Sequence, residues 1–162
     1  LFAIGIGHPH PEDLAMAGLF HDLGMGGLPA DLLVKPEAEW SNEDREMYYS
    51  HPEKSLNMIK AKRIIVSPAV EKAILQHHEK FSGKGYPRGL SAGRISDEAQ
   101  ILSFADQFDY LTRLEEGKPR LGPVQALEEI KRNGSINPEF ISKFKKILEK
   151  EGRAAGAGSS SA

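Results

Sequence analysis

The sequence predicts an all-α fold, a bundle of five to seven helices that carries one glycine-rich loop. Apolar residues recur at the three- and four-residue spacing of helices, and Ser or Pro opens several of these segments. No alternating pattern persists long enough to build a sheet. With 40% of its 162 residues hydrophobic, the chain can bury a core as one domain. We therefore expect one globular domain at 1–150 and a disordered tail of small and polar residues at 151–162.

Composition and charge exclude several classes of function. The formal net charge is −2 and there is no basic run or tail, so electrostatics give no case for binding DNA. No apolar run approaches the roughly 18 residues of a membrane span. Because the chain has no cysteine, any metal site must use imidazole and carboxylate groups. The lack of cysteine also suits a reducing compartment, and we expect a cytoplasmic protein. Leu1 in place of an initiator Met predicts missing upstream sequence, such as a sensory domain.

The first predicted helix, 11–22, ends in polar residues that do not suit its surroundings. It starts with a proline and two acidic residues, as helices do, and is apolar on every side over 14–20. Because a helix that is apolar all round is expected to be buried, His21 and Asp22 would be carried into the interior. A buried carboxylate is costly unless it is paired or binds a metal.

A further candidate histidine, His51, lies between the next two predicted helices. Ser41 and Asp44 form a predicted capping box at the start of a helix. Pro52 follows His51, so the chain is predicted to restart there as a second helix to about Lys62. On its own, His51 is typical of a turn residue before proline.

The stretch HHEKFSGKGYPRGL at 77–90 follows a helix that Ser67 and a proline open. Neighbouring residues on a helix point about 100° apart, so His77 and His78 cannot bind one ion from a single helical face. They could instead reach two ions side by side. Taken alone, the pair also fits one core histidine and one surface histidine. The glycines of the loop allow its backbone to approach a ligand closely.

Three helices are predicted after the loop. The helix at 97–112 places Asp106 and Asp109 on one stripe of a largely apolar surface. A surface helix follows at 122–134, and an amphipathic helix at 137–152 turns its phenylalanines inward.

Six side chains therefore conflict with their apolar surroundings, namely His21, Asp22, His51, His77, His78 and Asp106. Helix bundles bring such groups together at di-metal sites. Two octahedral ions need about twelve ligand positions; the six side chains with Asp22 bridging supply about seven, and a bridging hydroxide adds two. Open positions for water and substrate are typical of a catalytic rather than a structural site. Nitrogen and oxygen donors without sulfur favour iron, then manganese, over zinc or nickel.

Five motifs in order resemble the HD-GYP family of HD metal-dependent phosphohydrolases: HDLG at 21–24, HP at 51–52, HHE at 77–79, GYPRGL at 85–90 and ADQFDYLT at 105–112. The similarity covers roughly 14–148. It implies an HD-type helical bundle with a bi- or trinuclear metal centre that hydrolyses cyclic di-GMP to the linear dinucleotide or to GMP. It also implies the same six side chains as metal ligands, with Asp22 bridging.

The resemblance implies further roles. Asp22 and Asp109 would be catalytic residues, the second by orienting ligands or water. Arg88 would contact the guanine or phosphate end of the ligand and Lys118 its phosphate, although each also fits an ordinary surface residue. Tyr86 would shape the loop or form, with its neighbours, a docking surface for diguanylate cyclase domains.

Three positions depart from the family pattern. Met25 stands where the family usually has a lysine, Ser82 where it has an acidic residue, and Glu115 where it has a basic residue. Lys84 or Lys35 could replace the missing lysine.

Three hypotheses therefore remain open. The first is a working cyclic di-GMP phosphodiesterase whose binuclear centre activates a bridging hydroxide. The second is a degenerate member that binds metal, and a nucleotide or partner protein, with little or no turnover. The third is an HD-superfamily enzyme for another nucleotide. Members with three metals draw further ligands from an upstream helix, and we expect His8 and His10 to lie at the surface instead.

Overall fold

The computed structural model describes residues 2–114 and 120–157, and this part of the chain is all-helical, as predicted. The α-helices are α1 (Phe2–Gly5), α2 (Pro11–Phe20), α3 (Ala30–Val34), α4 (Asn42–Tyr49), α5 (His51–Ala61), α6 (Pro68–Gln76), α7 (Asp97–Thr112), α8 (Pro123–Arg132) and α9 (Pro138–Ala157). Seven of these helices in the described ranges contain eight residues or more, which agrees with the predicted number. Short 3-10 helices lie at Leu23–Gly27, Glu37–Glu39 and Ala92–Arg94.

The helix boundaries follow the start signals of the sequence. Asp44 donates its backbone N–H to the Ser41 hydroxyl at 3.1 Å and accepts the Ser41 N–H at 2.9 Å, so the predicted capping box of α4 is confirmed. Helix α5 begins at His51, as predicted. The last helix continues to Ala157 and so overlaps the expected tail, while residues 158–162 lie outside the described part.

The core lies between α2, α5, α6, α7, α8 and α9. Phe104 of α7 stacks on Phe144 of α9 with 3.7 Å between ring centroids, and both side chains are fully buried. Ile59, Ile74 and Ile130 are also inaccessible to solvent. Burial of each such side chain contributes about 1.5–3 kcal/mol to folding. These helices form the helical frame that carries the candidate metal-binding residues described below.

Two expectations for the N-terminal region are wrong. Helix α2 is not buried on every side: it meets α6 and α7 through the face that carries Leu14 and Ala17, and Leu19 is 70% exposed. Asp22 after this helix is accordingly not in the interior, because its side chain is 48% exposed. His8 is not a surface residue, because its side chain is 9% exposed and its Nε2 lies 3.5 Å from the Glu98 carboxylate of α7. His10 lies at the surface, as expected.

Within the described ranges, no helix is both long and apolar enough to cross a lipid bilayer.

Candidate metal centre

All six side chains predicted as metal ligands meet at one end of the helical frame. Ligand atoms of Asp22, His51, His77 and His78 all lie within 4.8 Å of one another. His21 joins them with its Nε2 at 3.2 Å from Asp22 Oδ2 and 4.0 Å from Asp106 Oδ1. The six side chains come from four separate places in the fold: the end of α2, the start of α5, the end of α6 and the middle of α7.

Hydrogen bonds to the backbone fix the ring orientation of three of the imidazoles. The Nδ1 atoms of His21, His51 and His77 lie 2.9, 2.8 and 2.7 Å from the carbonyl oxygen three residues earlier. A ring nitrogen that faces a carbonyl oxygen carries the proton, so Nε2 is left with its lone pair. Metal-binding histidines are typically held in this way.

The lone pairs of these rings converge on one carboxylate. Nε2 of His51 and Nε2 of His77 are buried, have no hydrogen-bond partner among the described residues, and lie 3.4 and 3.7 Å from Asp22 Oδ1. Lone pairs and a carboxylate oxygen repel each other unless a cation lies between them. Because Oδ2 faces His21 on the other side, Asp22 offers one oxygen to each of two groups of ligands. The donor set therefore fits a bound transition-metal ion.

The pKa values of Asp22, His77 and His78 are shifted toward the protonation states that bind metal. Burial would raise the pKa of Asp22, but the hydrogen bond from His21 and the charge of that imidazole oppose burial, and the net shift of this pKa is downwards. Burial lowers the pKa of His77 and, with the neighbouring imidazoles, lowers that of His78 further. Anionic carboxylate and neutral imidazole are the forms that bind metals.

The other two groups are shifted upwards. Burial would lower the pKa of His21, but the Asp22 carboxylate outweighs it and raises this pKa. Burial also raises the pKa of Asp106. A proton on His21 Nε2 would compete with a metal ion for that atom.

A buried serine joins the turn after α2 to α5. Ser55 Oγ accepts the Gly24 N–H at 2.8 Å and donates to the His21 carbonyl oxygen at 2.6 Å. This contact fixes the backbone beside Asp22 against the helix that carries His51. Sequence analysis missed Ser55; the available signal was a small polar residue four positions after His51, on the same face of α5.

Gly24→Ala is expected to destabilise the protein by about 3 kcal/mol, as overpacking of a buried site does. A Cβ atom at Gly24 would lie 2.2 Å from the His51 carbonyl oxygen and 2.8 Å from the Ser55 nitrogen, both of which are backbone atoms. Chemical denaturation would measure the change. Gly26→Ala is the matched control, because a Cβ there meets nothing within 4 Å and should leave stability nearly unchanged. Equal effects of the two substitutions would refute the close approach.

Comparison with known proteins identifies the group to which this arrangement belongs. A family model described as an HD domain matches residues 4–138. The chain belongs to the HD domain family. A solved structure described as Bd1817, a HDG"Y"P protein from Bdellovibrio bacteriovorus, superposes on this HD domain with a TM-score of 0.66 at 26% identity, covering 91% of this chain and 48% of that one.

Several sequence relatives of this HD domain are named as cyclic-dinucleotide phosphodiesterases. A cyclic di-GMP phosphodiesterase of Pseudomonas aeruginosa is 31% identical over 144 residues, which cover 86% of this chain and 34% of that protein. One of Thermotoga maritima is 29% identical over 150 residues, covering 91% and 40%. A 3'3'-cGAMP-specific phosphodiesterase of Vibrio cholerae is 32% identical over 141 residues, covering 83% and 29%. The resemblance to the HD-GYP family is thus confirmed, and the chain spans less than half the length of these relatives.

The glycine-rich loop of this HD domain lies directly beside the cluster. The Tyr86 ring stacks on His78, with 4.6 Å between centroids, and its other face stacks on Tyr49 of α4 at 4.0 Å. Burial raises the pKa of Tyr86 well above its usual value, so the phenol stays protonated. Arg88 is exposed on the same loop. The contribution of Tyr49 was not predicted, because it depends on a contact between residues far apart in the sequence.

Two further residues were predicted to serve the site, Asp109 and Lys118. Asp109 is 70% exposed, and its carboxylate lies 3.7 Å from Arg113, so its predicted role in orienting ligands stays a prediction. Lys118 and Glu115 lie outside the described residues.

The lysines considered as substitutes at Met25 differ in their surroundings. Met25 is half-buried in the 3-10 helix that follows Asp22. Lys35 is engaged by Asp44 at 2.7 Å, whereas Lys84 is exposed on the glycine-rich loop.

Proposed function

We propose that this HD domain is the catalytic part of a metal-dependent phosphodiesterase that hydrolyses cyclic di-GMP to the linear dinucleotide or to GMP. The observation that carries the proposal is the pair of buried, unpartnered Nε2 atoms of His51 and His77 that face Asp22. Buried polar atoms normally have partners, so this arrangement is that of a ligand shell. The names of the relatives from Pseudomonas aeruginosa and Thermotoga maritima support the substrate.

The centre is proposed to hold two transition-metal ions, iron by preference and manganese next. Asp22 would bridge them, since its two oxygens face different histidines. The other ligands would be His21, His51, His77, His78 and Asp106. When bound, such a pair of cations supplies an acidified water as nucleophile and positive charge for the phosphate oxygens.

The residues of the chain would contribute orientation and recognition. The backbone carbonyl oxygens that accept from Nδ1 fix the direction of His21, His51 and His77 before a ligand arrives, so little reorganisation is needed. Arg88 would supply a planar donor group for the phosphate or for the guanine edge. Lys118 is a second candidate for phosphate binding. The loop at 85–90 would also be the contact for a diguanylate cyclase domain.

The proposal predicts turnover by the metal-loaded protein. The protein reconstituted anaerobically with Fe²⁺ or Mn²⁺ is expected to convert cyclic di-GMP to the linear dinucleotide or GMP. Liquid chromatography of the nucleotides would measure the conversion. A chelator should abolish the reaction, and 3'3'-cGAMP is the comparison substrate, because one relative is specific for it. Binding of cyclic di-GMP without any product with either metal would exclude the enzyme.

A degenerate domain with little turnover is the second candidate, and Met25 is the observation that favours it. Lys35 forms an ion pair with Asp44, so this lysine is not a ready substitute for the lysine that the family usually has at the position of Met25. Removing one electrostatic donor typically lowers kcat by about 10²- to 10³-fold. If the domain is degenerate, Met25→Lys should increase turnover by a factor of that order. A change of less than about tenfold would support the working enzyme.

A further inference from the structure

The glycine-rich loop is fastened by a buried carboxylate that follows the metal-binding histidines. Glu79 is 2% exposed. Its Oε1 accepts the Arg88 N–H and its Oε2 accepts the Leu90 N–H, each at 2.8 Å. Both oxygens are therefore occupied by loop amides, and Glu79 is not a member of the ligand cluster although it adjoins His78 in sequence.

The same loop touches the backbone that carries the ligands. A Cβ atom at Gly85 would lie 2.4 Å from the His78 carbonyl oxygen and 2.3 Å from the Lys80 nitrogen, so only glycine fits there. The Tyr86 N–H donates to the same His78 carbonyl oxygen at 3.2 Å. Residues 85–86 of the loop thus contact the backbone of the histidine segment, and the amides of Arg88 and Leu90 hydrogen-bond to Glu79.

A carboxylate suits this position better than any uncharged group. An ionised carboxylate is an acceptor at both oxygens, and its hydrogen bonds to backbone amides are charge-assisted. A glutamine would keep one acceptor, but its NH₂ group would face a second donor. The substitution would leave either the part-buried N–H of Arg88 or the buried N–H of Leu90 without its acceptor, which is unfavourable.

We propose that Glu79 is a positioning residue that holds the loop so that Arg88 meets the substrate beside the metal centre. This inference rests on the proposed function, because it acts through the contact of Arg88 with a cyclic dinucleotide. Glu79 neither touches the reacting atoms nor binds metal in this scheme. It fixes the backbone of the residue that does the binding, and it does so through two hydrogen bonds that glutamine cannot reproduce.

A double-mutant cycle tests whether Glu79 acts through Arg88. Glu79→Gln is expected to raise KM for cyclic di-GMP on the order of tenfold with little change in kcat, as loss of a supporting residue around a site does. Arg88→Ala should raise KM at least as much. If Glu79 works through Arg88, the double variant should resemble Arg88→Ala alone, whereas independent effects would multiply and overturn the proposal. Glu53→Gln, an exposed glutamate of α5, is the matched control.

Hydrogen exchange provides a readout that does not depend on activity. Glu79→Gln should speed exchange of the Arg88 and Leu90 amides by at least about tenfold relative to the helical amides of α6 and α7, as local loosening does. Unchanged exchange at both amides would overturn the proposal. If the unsubstituted protein neither binds nor hydrolyses cyclic di-GMP, the proposed function fails, and the exchange of these two amides still decides whether Glu79 holds the loop.

Discussion

Asp22→Asn is expected to lower the turnover of cyclic di-GMP by at least about 10³-fold and to remove most of the bound metal. The substitution replaces an anionic oxygen that faces His51 and His77 with a neutral amide of the same shape, so the charge between the two groups of ligands is lost. The expected loss exceeds the ~10²- to 10³-fold that a single electrostatic donor contributes, because Asp22 would serve both ions. Steady-state turnover and elemental analysis of the same preparation would measure it.

Asp31→Asn is the control for this substitution, because it removes the same charge at an exposed position of α3. It should leave turnover and metal content close to those of the unsubstituted protein. Retention of activity within about tenfold in Asp22→Asn would contradict the bridging role.

Metal binding is expected to raise the thermal stability of the protein strongly. In the absence of a cation, two buried nitrogen lone pairs and a carboxylate oxygen face one another, and a bound ion converts that repulsion into ligand bonds. An ion at about 1,000 times its Kd stabilises a protein by about 4.1 kcal/mol. Each kcal/mol shifts the Tm of a domain of this size by about 2–4 °C, so a rise of roughly 8–16 °C is expected with Mn²⁺. Differential scanning calorimetry with metal and with chelator would measure it.

The shift should depend on the cluster and not on histidine in general. His10→Asn, at an exposed position, should keep the full rise in Tm, and Asp22→Asn should lose most of it. A rise of the same size in Asp22→Asn would mean that the metal binds elsewhere.

The ligand set could be predicted because each member is recognisable from its own neighbourhood. His21 and Asp22 end an apolar helix, and Asp106 lies inside another, so each is a polar group in the wrong surroundings. The resemblance to the HD-GYP motifs named the same residues. The structure brings them together.

The supporting contacts could not be predicted, since they join residues that are distant in the chain. Ser55 and Gly24 are 31 positions apart, and His8 pairs with Glu98 across the fold. Glu79 was visible as part of the HHE motif, but nothing in the sequence shows which amides it accepts. The burial of α2 was overestimated because apolar composition does not show which of its faces has a partner.

Metal stoichiometry tests the central claim most directly. After reconstitution with Fe²⁺ or Mn²⁺ and removal of loose metal, elemental analysis is expected to find about two ions for each chain of the unsubstituted protein, and far fewer in Asp22→Asn. Protein that retains no transition metal after this treatment, while still folded, would contradict the assignment of the His and Asp cluster as a metal centre.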